Sequence, residues 1–180
     1  VDADAGDSHT FELLDETAPF AISAGSLVID GALDFETTPS YEFGIRVTDA
    51  GGNVLAENLI INIENINDET PTDITATNTD INENKAVGAL VGSLGAVDAD
   101  NLGGYTFSLV TTDIPFAVSD GGVITATESL SHEAASSYDL TVEVSDGVHT
   151  FQEVITVTVN DLDEAPHDVT ISSDNVDELP

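Results

Sequence analysis

Apolar and polar residues alternate strictly in several segments of the chain. In 41–48 the odd-numbered residues are apolar and the even-numbered ones are polar or small, and 138–144 shows the same alternation with apolar residues at even positions. In 59–63 and 155–159 apolar residues again occupy every second position. Successive side chains of a strand point to opposite faces, so this period of two predicts strands with one buried and one solvated face. No segment shows the 3.6-residue period of an amphipathic helix.

Glycine-rich segments separate the predicted strands. DAGGN (49–53) and SDGG (119–122) contain residues that adopt the positive φ angles of tight hairpin turns. Short strands with turns at regular intervals are typical of a β-sandwich. The sequence therefore predicts an all-β fold.

The chain also repeats itself, which sets the domain organisation. Five landmarks recur in the same order, with offsets between 95 and 97 residues. They are VDAD (1–4 and 97–100), LDFE (33–36) with LSHE (130–133), YEFGIRVTD (41–49) with YDLTVEVSD (138–146), NINDETP (65–71) with NDLDEAP (160–166), and ITATNTDINEN (74–84) with VTISSDNVDEL (169–179).

This repeat predicts tandem Greek-key β-sandwiches joined end to end. We expect 1–71 to form a repeat that lacks its N-terminal strands, 72–166 a complete repeat, and 167–180 the first strand of a following one. Both junctions contain proline and acidic residues and no Gly/Ser-rich spacer. The linkers are therefore expected to be short and stiff.

The charge balance limits the classes of partner. Thirty-five acidic residues face only Arg46 and Lys85, which gives a formal net charge of −33. Nucleic acids and anionic membrane surfaces are recognised by clustered lysine and arginine, so neither is an expected partner. No run approaches the roughly 20 apolar residues that cross a bilayer, and we expect no membrane insertion. The absence of cysteine excludes disulfides and thiolate metal sites.

Some of the carboxylates are spaced in a way that favours a metal ion. Residues two apart on an extended strand point the same way, and like charges held close together are costly unless a cation lies between them. Ca²⁺ takes oxygen ligands in irregular geometry, whereas the four isolated histidines offer no zinc or copper site. The pairs with this spacing are Asp2 and Asp4, Asp34 and Glu36, and Asp98 and Asp100.

The ordered set of motifs resembles one known family. LDFE, VTD, NINDETP, INEN and VDAD are similar to the cadherin signatures LDRE, VxAxD, DxNDNxP, xEx and DxD, in cadherin order. The chain most resembles bacterial cadherin repeats. This resemblance implies β-sandwich domains that bind Ca²⁺ at the junctions between them. It implies a calcium-dependent adhesion or spacer module of a large secreted or cell-surface bacterial protein, and not an enzyme. Like domains or polysaccharide are the further partners that it suggests.

The resemblance also implies which residues bind Ca²⁺. At the first junction they are the side chains of Asp34, Glu36, Asn67, Asp68, Asp98, Asp100 and Asp146 and the main-chain oxygens of Ile66 and Glu69. Partial sites are implied at Asp2, Asp4, Asp49, Glu83, Glu133, Asp161, Asp163 and Glu178. The second junction departs from the pattern because Ser131 replaces the aspartate of LDRE. At the first junction, Asn65 of NINDETP stands where cadherins carry aspartate.

Other functions fit the sequence less well. A carbohydrate-binding module of a polysaccharide-degrading or biofilm protein is the main alternative, but three tyrosines and no tryptophan offer no evident stacking platform. A pure spacer that binds only calcium is a third reading. Paired carboxylates also serve glycosidases, yet these pairs fall at repeat junctions. VDADAGD begins like an EF-hand loop, but its twelfth position is Leu13 and not glutamate.

Overall fold

The computed structural model describes residues 8–15 and 17–165. Its regular elements are all strands, and these residues contain no helix, so none that could cross a membrane. Contacts between Cα atoms divide the chain into two compact units. Unit 1 comprises residues up to 69 together with 99–102, and unit 2 comprises 70–98 and the residues from 103 onward. The all-β class predicted from the alternating pattern is confirmed.

Unit 2 is a β-sandwich of two four-stranded sheets. One sheet has the order β10-β11-β8-β6 and the other β7-β13-β12-β9. All neighbours are antiparallel except β7 and β13, which run parallel with Ile81 opposite Val159. The strands are β6 Asp73–Ala76, β7 Asp80–Asn82, β8 Leu90–Val97, β9 Thr106–Leu109, β10 Phe116–Val118, β11 Val123–Ala126, β12 Ser137–Ser145 and β13 Thr150–Asn160.

The core of unit 2 follows the alternation in the sequence. On β12, Leu140, Val142 and Val144 are completely buried, and the residues between them are half-buried. Val157 and Val159 of β13 are equally buried. The buried cluster also draws on the opposite sheet, with members on β6, β8, β10 and β11. Each sheet thus covers the apolar face of the other.

Unit 1 has fewer strands in the described residues. A three-stranded sheet of order β1-β4-β5 lies alongside a two-stranded hairpin of β2 and β3. The bounds are β1 His9–Leu13, β2 Phe20–Ser23, β3 Ser26–Ile29, β4 Ser40–Asp49 and β5 Val54–Asn62. Phe20 and Phe43 are its buried apolar residues, with ring centroids 5.2 Å apart.

The predicted glycine turns are present in both units. DAGGN connects β4 to β5, and SDGG connects β10 to β11. Gly52 and Gly122 both have positive φ angles, of 84° and 78°, as such turns require. The β2–β3 hairpin turns at Ala24 and Gly25, which also have positive φ, the combination found in a type I′ turn.

Candidate metal centre

Three acidic residues from distant parts of the sequence meet within unit 1. Glu36 belongs to the loop between β3 and β4, Asp68 follows β5, and Asp100 lies in the 99–102 segment. One carboxylate oxygen from each lies within 4.8 Å of the other two. We call Glu36, Asp68 and Asp100 the first acidic cluster. Asp100 is only 4% exposed, whereas the other two are exposed.

Backbone hydrogen bonds fix the buried carboxylate of this cluster. Asp100 Oδ2 accepts the N–H of Asp68 at 3.1 Å and that of Glu69 at 2.8 Å. The side-chain amide of Asn65 donates to the Asp100 carbonyl oxygen at 2.9 Å. The segment 65–69 therefore fixes the orientation of the Asp100 carboxylate.

The charged form of Glu36 is destabilised within the first acidic cluster. A bond from its own backbone N–H lowers its pKa, but desolvation and the negative charges of Asp100 and Asp68 outweigh that, and the pKa is raised. A carboxylate destabilised by like charges gains from a cation placed among them. The cluster is therefore electrostatically suited to a positive ion.

Unit 2 contains a second acidic cluster of four residues. Oxygens of Glu83, Glu133, Asp161 and Glu164 lie within 4.8 Å of one another. Three of the four are exposed, and Glu83 is 1% exposed. Glu133 is the repeat counterpart of Glu36, 97 residues later in the sequence. We call these four residues the second acidic cluster.

Glu83 is held as an anion by the backbone around it. Its two oxygens accept the N–H of His132 at 2.8 Å and that of Leu162 at 2.8 Å. The bond from Leu162, followed by that from His132, lowers the pKa of Glu83 despite its burial. This residue thus joins the end of β7, the loop before β12 and the segment after β13.

His132 places an ionisable ring beside the second cluster. Its Nδ1 lies 2.7 Å from the Val159 carbonyl oxygen, so the ring donates this hydrogen bond. The bond raises the pKa of His132, and the charges of Asp161, Glu133 and Glu83 act in the same direction against desolvation. The acidic cluster therefore favours the protonated imidazole.

Several predicted ligands are used in local turns and lie outside both clusters. Both carboxylate oxygens of Asp34 accept hydrogen bonds from Thr37, at 2.9 and 2.7 Å, and those of Asp49 accept from Asn53. Asp146 accepts the N–H of Val148 at 2.7 Å.

The remaining predicted positions lie close in sequence to the clusters or outside the described range. Ile66 lines a cleft beside Asp68, and Asn67 is half-buried in the same segment. Asp98 follows β8 and is half-buried, and Asp163 is exposed. Asp2, Asp4 and Glu178 lie outside the described residues.

Two contributing residues escaped the sequence analysis. Glu164 belongs to the second cluster and accepts the Asn84 amide at 2.6 Å, although its counterpart Glu69 was expected to act only through its main chain. Asn65 was seen only as a replaced aspartate, yet its amide anchors Asp100. Its side-chain oxygen is buried and has no hydrogen-bond partner among the described residues. Glu164 and Asn65 both lie in the linker motif, and this position is the feature of the sequence that could have indicated them.

The donor sets of the clusters fit a hard cation. Both consist entirely of carboxylates, the ligand type of Ca²⁺ and Mg²⁺. Ca²⁺ takes six to eight oxygens in flexible geometry, so three or four carboxylates leave room for carbonyl oxygens and water. Mg²⁺ is smaller, demands near-ideal octahedral geometry and usually keeps several waters beside one or two carboxylates, so clusters of three and four carboxylates suit Ca²⁺ better.

Comparison with known proteins matches one segment to a family model and most of the chain to sequence relatives. Residues 77–160 match the model of the cadherin domain. Human protocadherin Fat 4 is 31% identical over 160 residues, which cover 83% of this chain and 3% of that protein. Mouse cadherin EGF LAG seven-pass G-type receptor 2 is 30% identical over 181 residues, covering 93% of this chain and 6% of the receptor. These relatives are animal proteins, and they do not show the bacterial source that we expected.

Solved structures give the same result for the fold. Cadherin domains 3–6 of protocadherin gamma B2 superimpose with a TM-score of 0.67 at 26% identity, over 86% of this chain and 42% of that one. Chicken VE-cadherin EC1-2 superimposes with a TM-score of 0.68 at 24% identity, over 88% of this chain and 86% of that one. This similarity supports the fold alone. Residues 77–160 thus match the cadherin domain, within a chain whose sequence relatives are cadherins and protocadherins.

Proposed function

We propose that this chain is a calcium-dependent adhesion or spacer module of an extracellular protein. In this proposal, Ca²⁺ binds at the first acidic cluster through Glu36, Asp68 and Asp100. The other implied ligands of the same unit are the side chains of Asp34 and Asn67 and the main-chain oxygens of Ile66 and Glu69. The relatives support the adhesive role because cadherins are adhesion proteins. One of the similar structures comprises extracellular cadherin domains of protocadherin gamma B2, which supports the location.

The convergence of three carboxylates is the observation that carries the proposal. Their oxygens lie within 4.8 Å of one another, although like charges at this distance repel. Of the two basic residues in the chain, Arg46 is ion-paired with Glu12. Nearby positive charge is therefore best supplied by an ion from solution.

The mechanism of such a module is mechanical. An ion at the cluster would join the loop that carries Glu36 to the segment of Asp68 and to the short 99–102 segment. The last of these continues on both sides into unit 2 along the chain. Ligands drawn from separate parts of the chain lose their relative freedom when one ion binds them all, so calcium is expected to stiffen the molecule. No observation in the described residues favours the carbohydrate-binding alternative.

A calcium titration followed by calorimetry tests this function. Ligand that binds only the folded state raises the thermal midpoint with concentration, so we expect calcium to raise the midpoint of the wild-type chain. Glu36→Gln should lose much of that rise. Glu42→Gln makes the same change of charge at an exposed position on β4 and should keep it.

Equal calcium responses in the three proteins would refute the proposal. If calcium shifted the midpoint by the same amount in Glu36→Gln, Glu42→Gln and wild type, the ion would bind elsewhere or only screen charge. Magnesium at the same concentration separates screening from specific binding, because both ions screen charge equally.

A further inference from the structure

The first extended segment of unit 2 divides between the two sheets of the sandwich. Its first part, β6, pairs with β8, and its second part, β7, pairs with β13 in the other sheet. β13 is the last strand of unit 2 in the described residues. The chain therefore enters unit 2 and leaves it along strands that are bonded to each other.

The parallel pairing of β7 and β13 determines how a pulling force acts on them. The main-chain N–H of Thr158 donates to the Thr79 carbonyl oxygen at 2.9 Å, and that of Glu83 donates to the Asn160 carbonyl oxygen at 3.1 Å. When the chain is pulled from both sides of unit 2, β7 is drawn back past its first residue and β13 is drawn forward past its last. Because the strands are parallel, this force acts along them, and their hydrogen bonds resist together instead of breaking one at a time.

One side chain extends this connection to β6. Glu153 of β13 is half-buried, and its Oε2 accepts the N–H of Ile74 at 2.8 Å. These two residues are 79 positions apart in the sequence, and the paired residues Asn82 and Asn160 are 78 apart. Ile74 and Glu153 therefore continue the parallel alignment of β7 and β13 to within one residue, in the region where β6 belongs to the other sheet.

Glu153 lies on the core side of β13, where a carboxylate needs a partner. Ile155 and Val157 on the same face are 8% and 0% exposed. Burial of a charged group is costly unless it is hydrogen-bonded, and so is burial of a backbone N–H without an acceptor. The bond to Ile74 satisfies both groups. The repeat counterpart of Glu153, 96 residues earlier, is Glu57, so both units carry a carboxylate at this position.

We propose that Glu153 is a load-bearing tie between the beginning and the end of unit 2. A pulling force that enters at Asp73 passes from Ile74 through the Glu153 carboxylate to β13 and leaves after Asn160. The tie meets this force at the second residue of β6, before the force reaches the pairing of β7 with β13. Hydrogen bonds to a charged acceptor are stronger than neutral ones. Glu153 thus adds a strong bond to those that must break before the strands slide apart.

This tie deepens the mechanical role of the module. That a pulling force acts on the molecule rests on the proposed function, since an adhesion or spacer module transmits force along its chain. The resistance itself depends only on contacts within unit 2. It is therefore measured without calcium, so that its failure and a failure of the calcium site are distinguishable.

Single-molecule force measurements on the full chain in a calcium chelator test the tie. The chain contains no cysteine, so a pair of introduced cysteines defines where the force is applied. Thr70→Cys with Ala165→Cys, at two exposed positions, loads unit 2 along β6 and β13, which we call end loading. Thr112→Cys with Val148→Cys, also exposed, pulls between the β9–β10 loop and the β12–β13 turn and leaves β6 outside the loaded segment. We call this cross loading.

We expect the effect of the tie to depend on the direction of the force. Under end loading at a fixed force, Glu153→Ala should raise the unfolding rate on the order of tenfold, because a hydrogen bond to a charged group is lost. Under cross loading the same substitution should raise the rate much less. Glu143→Ala removes a carboxylate that accepts the Gln152 side chain within the same sheet, and this control should behave as wild type in both directions.

Two outcomes would overturn the inference. An unchanged rate for Glu153→Ala under end loading would show that the bond carries no force, and an equal rise in both directions would show a contribution to stability alone. Glu153→Gln keeps an amide oxygen as acceptor, and it decides the same question if the alanine variant does not fold.

The calcium titration gives an independent result. A calcium-induced rise in thermal midpoint together with no effect of Glu153→Ala under end loading would refute the tie alone. A direction-dependent effect of Glu153→Ala together with no calcium response would refute the calcium site alone.

Discussion

The two units of this chain carry the same repeat with different degrees of burial. Val47 on β4 and Val144 on β12 are repeat counterparts, yet Val144 is completely buried and Val47 is half-buried. Val144 lies beneath a four-stranded opposite sheet, whereas the sheet of Val47 faces only the β2–β3 hairpin among the described residues. An apolar face thus becomes core only where another layer covers it.

The two acidic clusters differ in a related way. In the second acidic cluster, Glu83 is buried and its carboxylate accepts hydrogen bonds from two backbone N–H groups. The first cluster has no counterpart of Glu83 in the described residues. Its anchored carboxylate is Asp100, which accepts two N–H groups of the segment after β5. In both clusters, one buried and oriented carboxylate organises more exposed ones.

Loss of the Glu83 carboxylate should have the largest effect and should fall on unit 2 alone. Glu83→Gln turns an amide NH₂ toward a backbone N–H donor, and a buried donor without an acceptor is costly. We expect the thermal midpoint of unit 2 to fall by several degrees without calcium. Glu128→Gln, at an exposed position, is the matched control and should change little.

The pH dependence of stability also tests the contribution of the Glu83 charge. Because the pKa of Glu83 is lowered, its contribution to stability is present above the ordinary glutamate pKa and is lost as pH falls through the lowered value. The difference between wild type and Glu83→Gln should therefore be greatest near neutral pH and should shrink in acid. An equal difference at all pH values would mean that charge is not what Glu83 contributes.

A matched pair of valine substitutions measures the difference in burial directly. Val144→Ala removes completely buried methyl groups and should cost about 2 kcal/mol of unfolding free energy. Val47→Ala removes half-exposed ones and should cost less than about 1 kcal/mol. Hydrogen exchange of amides on β12 and β4 assigns each loss to its unit. Equal costs would show that the sheet of unit 1 is covered in solution.

A matched pair of glycines gives the smallest difference. Gly25 and Gly122 occupy the corresponding hairpin turns, and each has a φ of 78°. A Cβ on Gly122 would meet the Leu94 carbonyl oxygen at 3.1 Å, whereas one on Gly25 would meet nothing within 4 Å. Both alanine variants incur the left-handed penalty of about 1 kcal/mol, and we expect Gly122→Ala to cost about 1 kcal/mol more through crowding. Chemical denaturation of both variants measures this difference.

The sequence predicted the strands well because their signal is local. The period of two at 138–144 required no knowledge of the rest of the fold, and the structure places its apolar residues in the core. The same period at 41–48 gave the strand but not the degree of burial, because burial depends on a second layer. The domain boundaries and the calcium ligands stay predictions.

The candidate site was predicted only in part because its members meet through the fold. The linker motif indicated Asp68, and the repeat indicated Glu36 and Asp100, which the structure brings together. The same reasoning included Asp34, whose carboxylate is bonded to the nearby Thr37. It left out Glu164, because spacing along the chain does not show which exposed carboxylate turns toward its neighbours.

A crystal structure of the full chain grown with millimolar calcium tests the central claim most directly. We predict an ion among Glu36, Asp68 and Asp100, identified by anomalous scattering, with oxygen ligands at about 2.3–2.6 Å. The account would be contradicted if these three carboxylates were separated and solvated, with no ion between them.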